Sequence, residues 1–152
     1  TPVELKNFIG GGAYTLVGLI KAIGFKPYQG ILTTAEKRYE AAMIVGAICN
    51  GRQAGGGQQL APNAYLNDGL LDVMAILEFP VSAVNQVLRE LNDHETQGEY
   101  VLRLQQPWVE YESNEPGPLN LDGEPYLSEK IRFEVQSKQI KMVVPQNCPC
   151  LR

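Results

Sequence analysis

ICNGRQAGGGQQLAPNAYLNDGLLDV, residues 48–73, packs Asn50, Gly51 and Arg52, then Gly55, Gly56 and Gly57, then Pro62, then Asn67, Asp68 and Gly69 between two apolar stretches. A hydrophobic core has no use for so many residues without bulky side chains. A loop that brings backbone N–H groups close to an anion or a bulky ligand does, because glycine reaches positive φ and lets the main chain approach. The flanks are apolar: Ala41 to Cys49 carries no charge, and Leu70 to Leu77 carries only Asp72. Both read as strands, and the upstream one is expected to be buried on both faces.

Outward from this passage the chain continues in short β-branched or aromatic runs separated by turn residues. Upstream, Tyr28–Thr34 and Tyr39–Asn50 are separated by Glu36, Lys37 and Arg38, the pattern of a hairpin. Val3 to Ile23 has helical apolar spacing broken by Gly10 to Gly12, which predicts a turn and then a helix from about Ala13. Downstream, Pro80 suits the first turn of an amphipathic helix through Val81, Val84, Val87, Leu88 and Leu91. Strands are then expected around 100–104, 108–112, 119–122, 130–135 and 139–144. Many short strands with turns between them predict a mainly β chain with flanking helices, an antiparallel sandwich rather than a parallel α/β sheet.

Composition narrows the function classes. The chain has 152 residues, 44% hydrophobic and 20% charged, with no apolar run long enough to span a bilayer. Thirteen basic against seventeen acidic residues leave a net charge of −4, which argues against nucleic acid as a partner. Cys49, Cys148 and Cys150 are an odd number, which points to reduced thiols and a cytoplasmic setting. Cys148-Pro149-Cys150 is one residue shorter than the hook of zinc or redox motifs, and no second Cys or His pair completes a metal site. The opening TPVELKNF has neither an initiator Met nor the regions of a signal peptide and reads as the start of a processed product or, the favoured reading, of an excised fragment.

Three groups of residues can carry chemistry. The glycine passage is neither a Walker loop nor a dinucleotide fingerprint, since no Lys-Ser/Thr follows it and Asp72 lies within the next strand. It is either a flexible or bulged loop or a ligand-contacting one. Asn67-Asp68-Gly69 is either a simple turn or a hard-cation site in which the Asp68 carboxylate joins exposed main-chain carbonyls. In Leu119-Asn120-Leu121-Asp122-Gly123-Glu124, alternation sends Leu119 and Leu121 to the core and Asn120 and Asp122 away from it. Glu124 joins the polar side only if Gly123 does not reverse the chain. Two carboxylates two residues apart, Asp122 and Glu124, could divide a metal or phosphate role and a proton-accepting role, or they could form a D-G hairpin turn with a solvated Glu. His94, the single histidine, sits in the polar NDHETQG linker and reads as a surface-loop residue. Trp108 and the seven tyrosines read as packing residues.

Taken together, NGRQAGGGQQLAPNAYLNDGLLDV followed about fifty residues later by NLDGEP resembles the C-terminal half of the diacylglycerol kinase family, on the side of the bacterial YegS-like lipid kinases. The likeness runs from the Gly-Gly-Ala-Tyr segment at 11–14 to the Pro-Gln-Asn-Cys-Pro ending at 145–149. It implies the β-sandwich of the diacylglycerol kinase and NAD kinase-like fold. It also implies a two-domain enzyme whose N-terminal kinase domain binds ATP through a Gly-Gly-Asp-Gly-Thr loop, a motif this sequence does not contain.

By that resemblance residues 1–152 are the C-terminal domain, inactive alone, and the tail from about 138 to 152 packs on the N-terminal domain, leaving it untethered here. Mg²⁺ falls on the Tyr65 and Leu70 carbonyls and the Asp68 carboxylate. The general base falls on Glu124, with Asp122 beside it. The implied reaction is phosphoryl transfer from ATP to a hydroxyl of a membrane lipid, phosphatidylglycerol or diacylglycerol-like, by an enzyme that is cytoplasmic or peripheral at the inner face of the membrane. The competing expectations are a non-catalytic lipid-binding or interaction domain of the same fold, and an NAD kinase. The oligomeric state is not legible.

Overall fold

The computed structural model describes residues 26–54, 58–95 and 97–152. The glycine triplet at 55–57 and the helix expected from about Ala13 lie outside the described residues. Among those described there are eight strands: β1 (Tyr28–Thr34), β2 (Arg38–Cys49), β3 (Gln53–Ala54), β4 (Gln58–Gln59), β5 (Leu71–Leu77), β6 (Val101–Gln106), β7 (Trp108–Leu121) and β8 (Glu124–Glu134). A 3₁₀ turn (Val81–Ala83) leads into one α-helix, α1 (Val84–Asn92).

Six strands form one sheet in the order β6-β5-β2-β1-β7-β8, and β3 and β4 form a small hairpin of their own. Every pairing is antiparallel. The mainly β, antiparallel architecture predicted from sequence is therefore what the chain adopts.

The β1–β2 hairpin is closed by Thr34. Its hydroxyl donates to the Lys37 carbonyl at 2.9 Å and accepts from the Lys37 N–H at 3.0 Å, so the charged Glu36 and Lys37 stay in solvent while the strands pair on either side. β5 is the most buried strand, with Leu71 to Ile76 all inside. Its alternation supplies both faces of the sheet. Met74 and Ile76 pack with Ile44, Phe79, Val87, Leu88 and Val101 under α1. Val73 and Ala75 pack with Leu32, Met43, Leu102 and Val109 on the opposite face.

The strand buried on both faces is thus β5, not β2. In β2 the pairing slips between Met43 and Val45, Ile44 turns to the helix side, and Val45 is 39% exposed. In Ala41–Cys49 only Met43 and Ile44 are buried, one in each core, and the rest of the segment is partly or fully exposed.

Two further expectations are corrected. Residues 119–122 are not a separate strand, because β7 runs unbroken from Trp108 to Leu121; a shift in its pairing with β8 between Glu112 and Gly117 takes in Pro116, and Pro118 pairs with Leu127 beyond it. Residues 139–144 form no strand. Ile140, Met142 and Val143 are 80%, 69% and 103% exposed, and an apolar run without a neighbour to hydrogen-bond has no ladder to join.

α1 is bolted to the sheet by Glu90. Its carboxylate accepts the Tyr100 and Val101 N–H groups at 2.8 and 2.9 Å and the Gln86 amide at 2.9 Å. Arg103 in turn donates to the Glu90 and Leu91 carbonyls at the helix end, where a cation also meets the negative end of the helix dipole.

Candidate functional site

The Asp68 turn is built by the side chain itself. Asp68 Oδ1 accepts the Leu70 N–H at 3.0 Å, and Gly69 supplies the left-handed residue at φ +76°. The turn reading of Asn67-Asp68-Gly69 is therefore right, and it leaves something over. Asp68 Oδ2 is buried and has no hydrogen-bond partner.

Among the described residues no cluster of three or more His, Cys, Asp or Glu could hold a metal, so a cation here would draw on main-chain oxygens. One carboxylate oxygen fixed by a backbone N–H and the other without a donor, at the head of an irregular loop, suit a hard cation that takes oxygen ligands. The donor set fits Mg²⁺ in that sense.

The loop is clamped by the end of the chain. Leu66 N–H donates to the Cys150 carbonyl at 2.9 Å, and Asn67 exchanges two hydrogen bonds with the Arg152 main chain at 2.9 and 3.0 Å. Arg52 donates to the Ala64 carbonyl at 2.9 Å and to the Pro149 carbonyl at 2.6 Å. The Tyr65 ring carries the guanidinium groups of Arg52 and Arg152, each 5.2 Å from its centre. The tail expected to be untethered is thus held at residues 149–152 by the very loop that presents Asp68. Cys49, Cys148 and Cys150 are free thiols.

Asp122 and Glu124 occupy different ground. Asp122 (φ 50°) and Gly123 (φ 101°) form the two-residue turn between β7 and β8, with the Gly123 N–H donating to the Asn120 side chain at 2.8 Å. Positive φ at both central residues is the hairpin geometry that Asp-Gly favours. Gly123 does reverse the chain, and this decides where Glu124 points. Leu121 pairs with Glu124 and Leu119 with Tyr126, and directly opposed residues share a face. Glu124 therefore stands on the side of Leu119 and Leu121, beside a Tyr126 that is 59% exposed, and not with Asn120. β1 pairs with β7 only as far as Gly30↔Ser113, so the tip of this hairpin projects past the sheet as a two-stranded ribbon.

The two sets of carboxylates are not brought together. Ser137, just beyond β8, lies against Gly69, whereas Glu124 begins β8. The ten residue steps from Glu124 to Glu134 amount to about 33 Å of extended strand. Asp68 and Glu124 thus mark opposite ends of β8.

A third arrangement was not singled out from the sequence. On the helix side of the sheet a cavity of about 470 Å³ opens between the 60–63 loop and the 93–95 turn. Asp72 and Gln105 face each other across β5 and β6 in its floor, with Gln105 donating to Asp72 Oδ1 at 2.9 Å. Asp72 is only 8% exposed, and its Oδ2 has no partner. Burial pushes its carboxyl above the ordinary range; the Gln105 bond opposes this and the Asp68 charge adds to it. His94 stands on the rim, its carbonyl accepting the Asn63 amide at 3.1 Å, and its pKa is lowered by desolvation and by Arg103. The signal available in sequence was an acidic residue inside the otherwise apolar Leu70–Leu77.

Residues 4–144 match the family described as the YegS C-terminal NAD kinase beta sandwich-like domain. A "Probable lipid kinase YegS-like" of Shewanella frigidimarina is 52% identical over 151 residues, covering 99% of this chain and 49% of that protein. A protein of the same description from Chromohalobacter salexigens is 41% identical over 152 residues, covering 99% and 49%. The chain thus spans about half the length of these curated relatives. A crystal structure of a diacylglycerol kinase from Bacillus anthracis str. Sterne superposes with TM-score 0.57 at 14% identity, over 80% of this chain and 44% of that one. A second structure from the same strain reaches 0.62 at 17%, over 83% and 45%. These two likenesses are of fold. With sequence and fold in agreement, the chain belongs to the YegS C-terminal, NAD kinase β-sandwich-like domain family.

Proposed function

We propose that this chain is the C-terminal, acceptor-side domain of an ATP-dependent lipid kinase that phosphorylates a hydroxyl of a membrane lipid, phosphatidylglycerol or a diacylglycerol-like molecule. The observation that carries the reading is the Asp122-Gly123 turn, which sets Glu124 in solvent at the tip of a projecting hairpin. A carboxylate there serves no packing purpose and is placed to meet a substrate held by another domain.

Glu124 accepts the proton of the lipid hydroxyl as that oxygen forms a bond to the γ-phosphorus of ATP and the bond to the β-phosphate oxygen breaks, leaving ADP. Asp122, two residues away, orients the phosphate side. ATP is held mainly by the N-terminal kinase domain that completes the intact protein. Asp68 with the Tyr65 and Leu70 carbonyls would hold Mg²⁺, which supplies positive charge that fixes the loop. The exposed Ile140, Met142 and Val143 suit the segment from about 138 to packing on the N-terminal domain up to residue 148, beyond which the Asp68 loop holds the chain. The enzyme would work in the cytoplasm, peripheral at the inner face of the membrane; among the described residues no helix is long and apolar enough to cross one.

In the intact two-domain protein, Glu124→Gln should lower lipid phosphorylation by about 10²–10⁴-fold with ATP affinity unchanged. Full turnover in that variant would remove Glu124 as the base and favour a non-catalytic lipid-binding role for this domain.

A further inference from the structure

The cavity on the helix side of the sheet contains chemistry that the proposed phosphoryl transfer does not use. In its floor is Asp72 Oδ2, a buried acceptor without a partner on a residue more than nine-tenths buried. Asp72 cannot turn away to solvent without giving up the Gln105 bond that fixes its other oxygen. Arg103 lines the same floor. Its terminal nitrogen is committed to the Glu90 and Leu91 carbonyls, which leaves the buried Nε–H with no acceptor.

Arg103 pairs with Met74, two positions along from the Asp72–Gln105 pair, so the two residues are diagonal neighbours on one face. Such neighbours lie about 7–8 Å apart at their backbones, within reach of long side chains. One unsatisfied acceptor and one unsatisfied donor therefore stand a short bridge apart, in a cavity whose 470 Å³ falls in the range of small-molecule sites.

A lone cation would satisfy Asp72 and leave Arg103 Nε–H unmatched, and a lone anion would do the reverse. A ligand with adjacent hydroxyls satisfies both, one donating to the carboxylate and its neighbour accepting from the guanidinium. We propose that this cavity is a binding site for a vicinal diol, the group shared by a glycerol headgroup and a ribose. The Asn63 amide, donating to the His94 carbonyl, joins the two loops that border the cavity. The site is separate from Glu124, and its existence does not depend on the kinase reading.

The test is ¹H–¹⁵N NMR titration of the intact protein with glycerophosphoglycerol in one arm and adenosine in the other. 1,3-Propanediol and 2′-deoxyadenosine serve as controls that lack the vicinal pair. The Gln105 side-chain amide and the His94 backbone signal are expected to shift with one of the two diols and with neither control. Glycerophosphoglycerol alone would point to a lipid headgroup, and adenosine alone to a nucleotide. Asp72→Asn should weaken that binding by about tenfold or more, as expected for losing a hydrogen bond to a charged group. Arg103→Lys keeps the cation for the helix end but removes Nε, and should weaken it as well. No shift at these two signals with either diol, equal shifts with the controls, or binding unchanged in a folded Asp72→Asn protein would overturn the proposal. Loss of kinase activity in Glu124→Gln would leave all of these readouts in place.

Discussion

At the scale of single residues, the hairpin tip decides the most. Whether Glu124 shares a face with Asn120 or with Leu121 depends wholly on whether Gly123 reverses the chain, and alternation read along the sequence cannot tell. Once φ is positive at both Asp122 and Gly123, the register follows and Glu124 lands beside Tyr126. Gly123→Ala should therefore cost about 1–2 kcal/mol, since a side chain at this φ is strained, and denaturant unfolding would register it. Asp122→Asn should leave stability near the parent value, because Asn also tolerates this conformation. Any activity it loses then belongs to the carboxylate. Gly30 makes a second residue-scale case: an added Cβ would stand 2.6 Å from the Tyr111 ring, so Gly30→Ala should destabilise by about 1–3 kcal/mol. Asp68 was legible as a turn residue: one oxygen closes the turn, and the other, without a partner, is the one the proposed cation would take. Calorimetry should show weaker Mg²⁺ binding by Asp68→Ala than by the parent; equal binding would remove the site.

Elements were legible where local pattern and partner agreed. β1, β2, β5 and α1 follow from apolar runs bounded by charge, Gly or Pro. The failures were at places where a neighbour decides. Residues 139–144 carry strand-forming residues but have no paired edge, and β7 passes through Pro116 where its pairing with β8 shifts and through Pro118 opposite Leu127, in the part of the hairpin that β1 does not pair. α1 depends on Glu90 in a way no periodicity shows. Desolvation alone would raise its carboxyl, but bonds from the Tyr100, Gln86 and Val101 groups outweigh it and hold it below its ordinary value of 4.5. A carboxyl lowered in the folded state stabilises fully above its unfolded value and loses that contribution as pH falls through the folded one. Glu90→Gln should therefore cost about 1.5–3 kcal/mol at pH 7. In unfolding curves the gap between variant and parent should close as the pH drops below about 4.5. A gap independent of pH would show that the charge on Glu90 is not what holds α1.

At the scale of the whole molecule, the fold class was legible because turns and strands alternate throughout, and NGRQAGGGQQLAPNAYLNDGLLDV with NLDGEP carried the family. The spatial separation of those two motifs was not legible. Sequence order sets them about fifty residues apart, but only the register of β8 shows that they lie at its opposite ends. The cavity at Asp72 went unseen because β5 and β6 bring Asp72 and Gln105 together across 33 positions of chain. The chain spans about half the length of each curated relative, and the proposed function makes it one side of a larger enzyme, with the β7–β8 hairpin reaching out from the sheet. The most direct test of that account is a product assay on the intact two-domain protein with ATP and Mg²⁺, offering phosphatidylglycerol vesicles and NAD as competing acceptors. The account predicts phosphate on the lipid and none on NAD; phosphorylated NAD with unmodified lipid would contradict it.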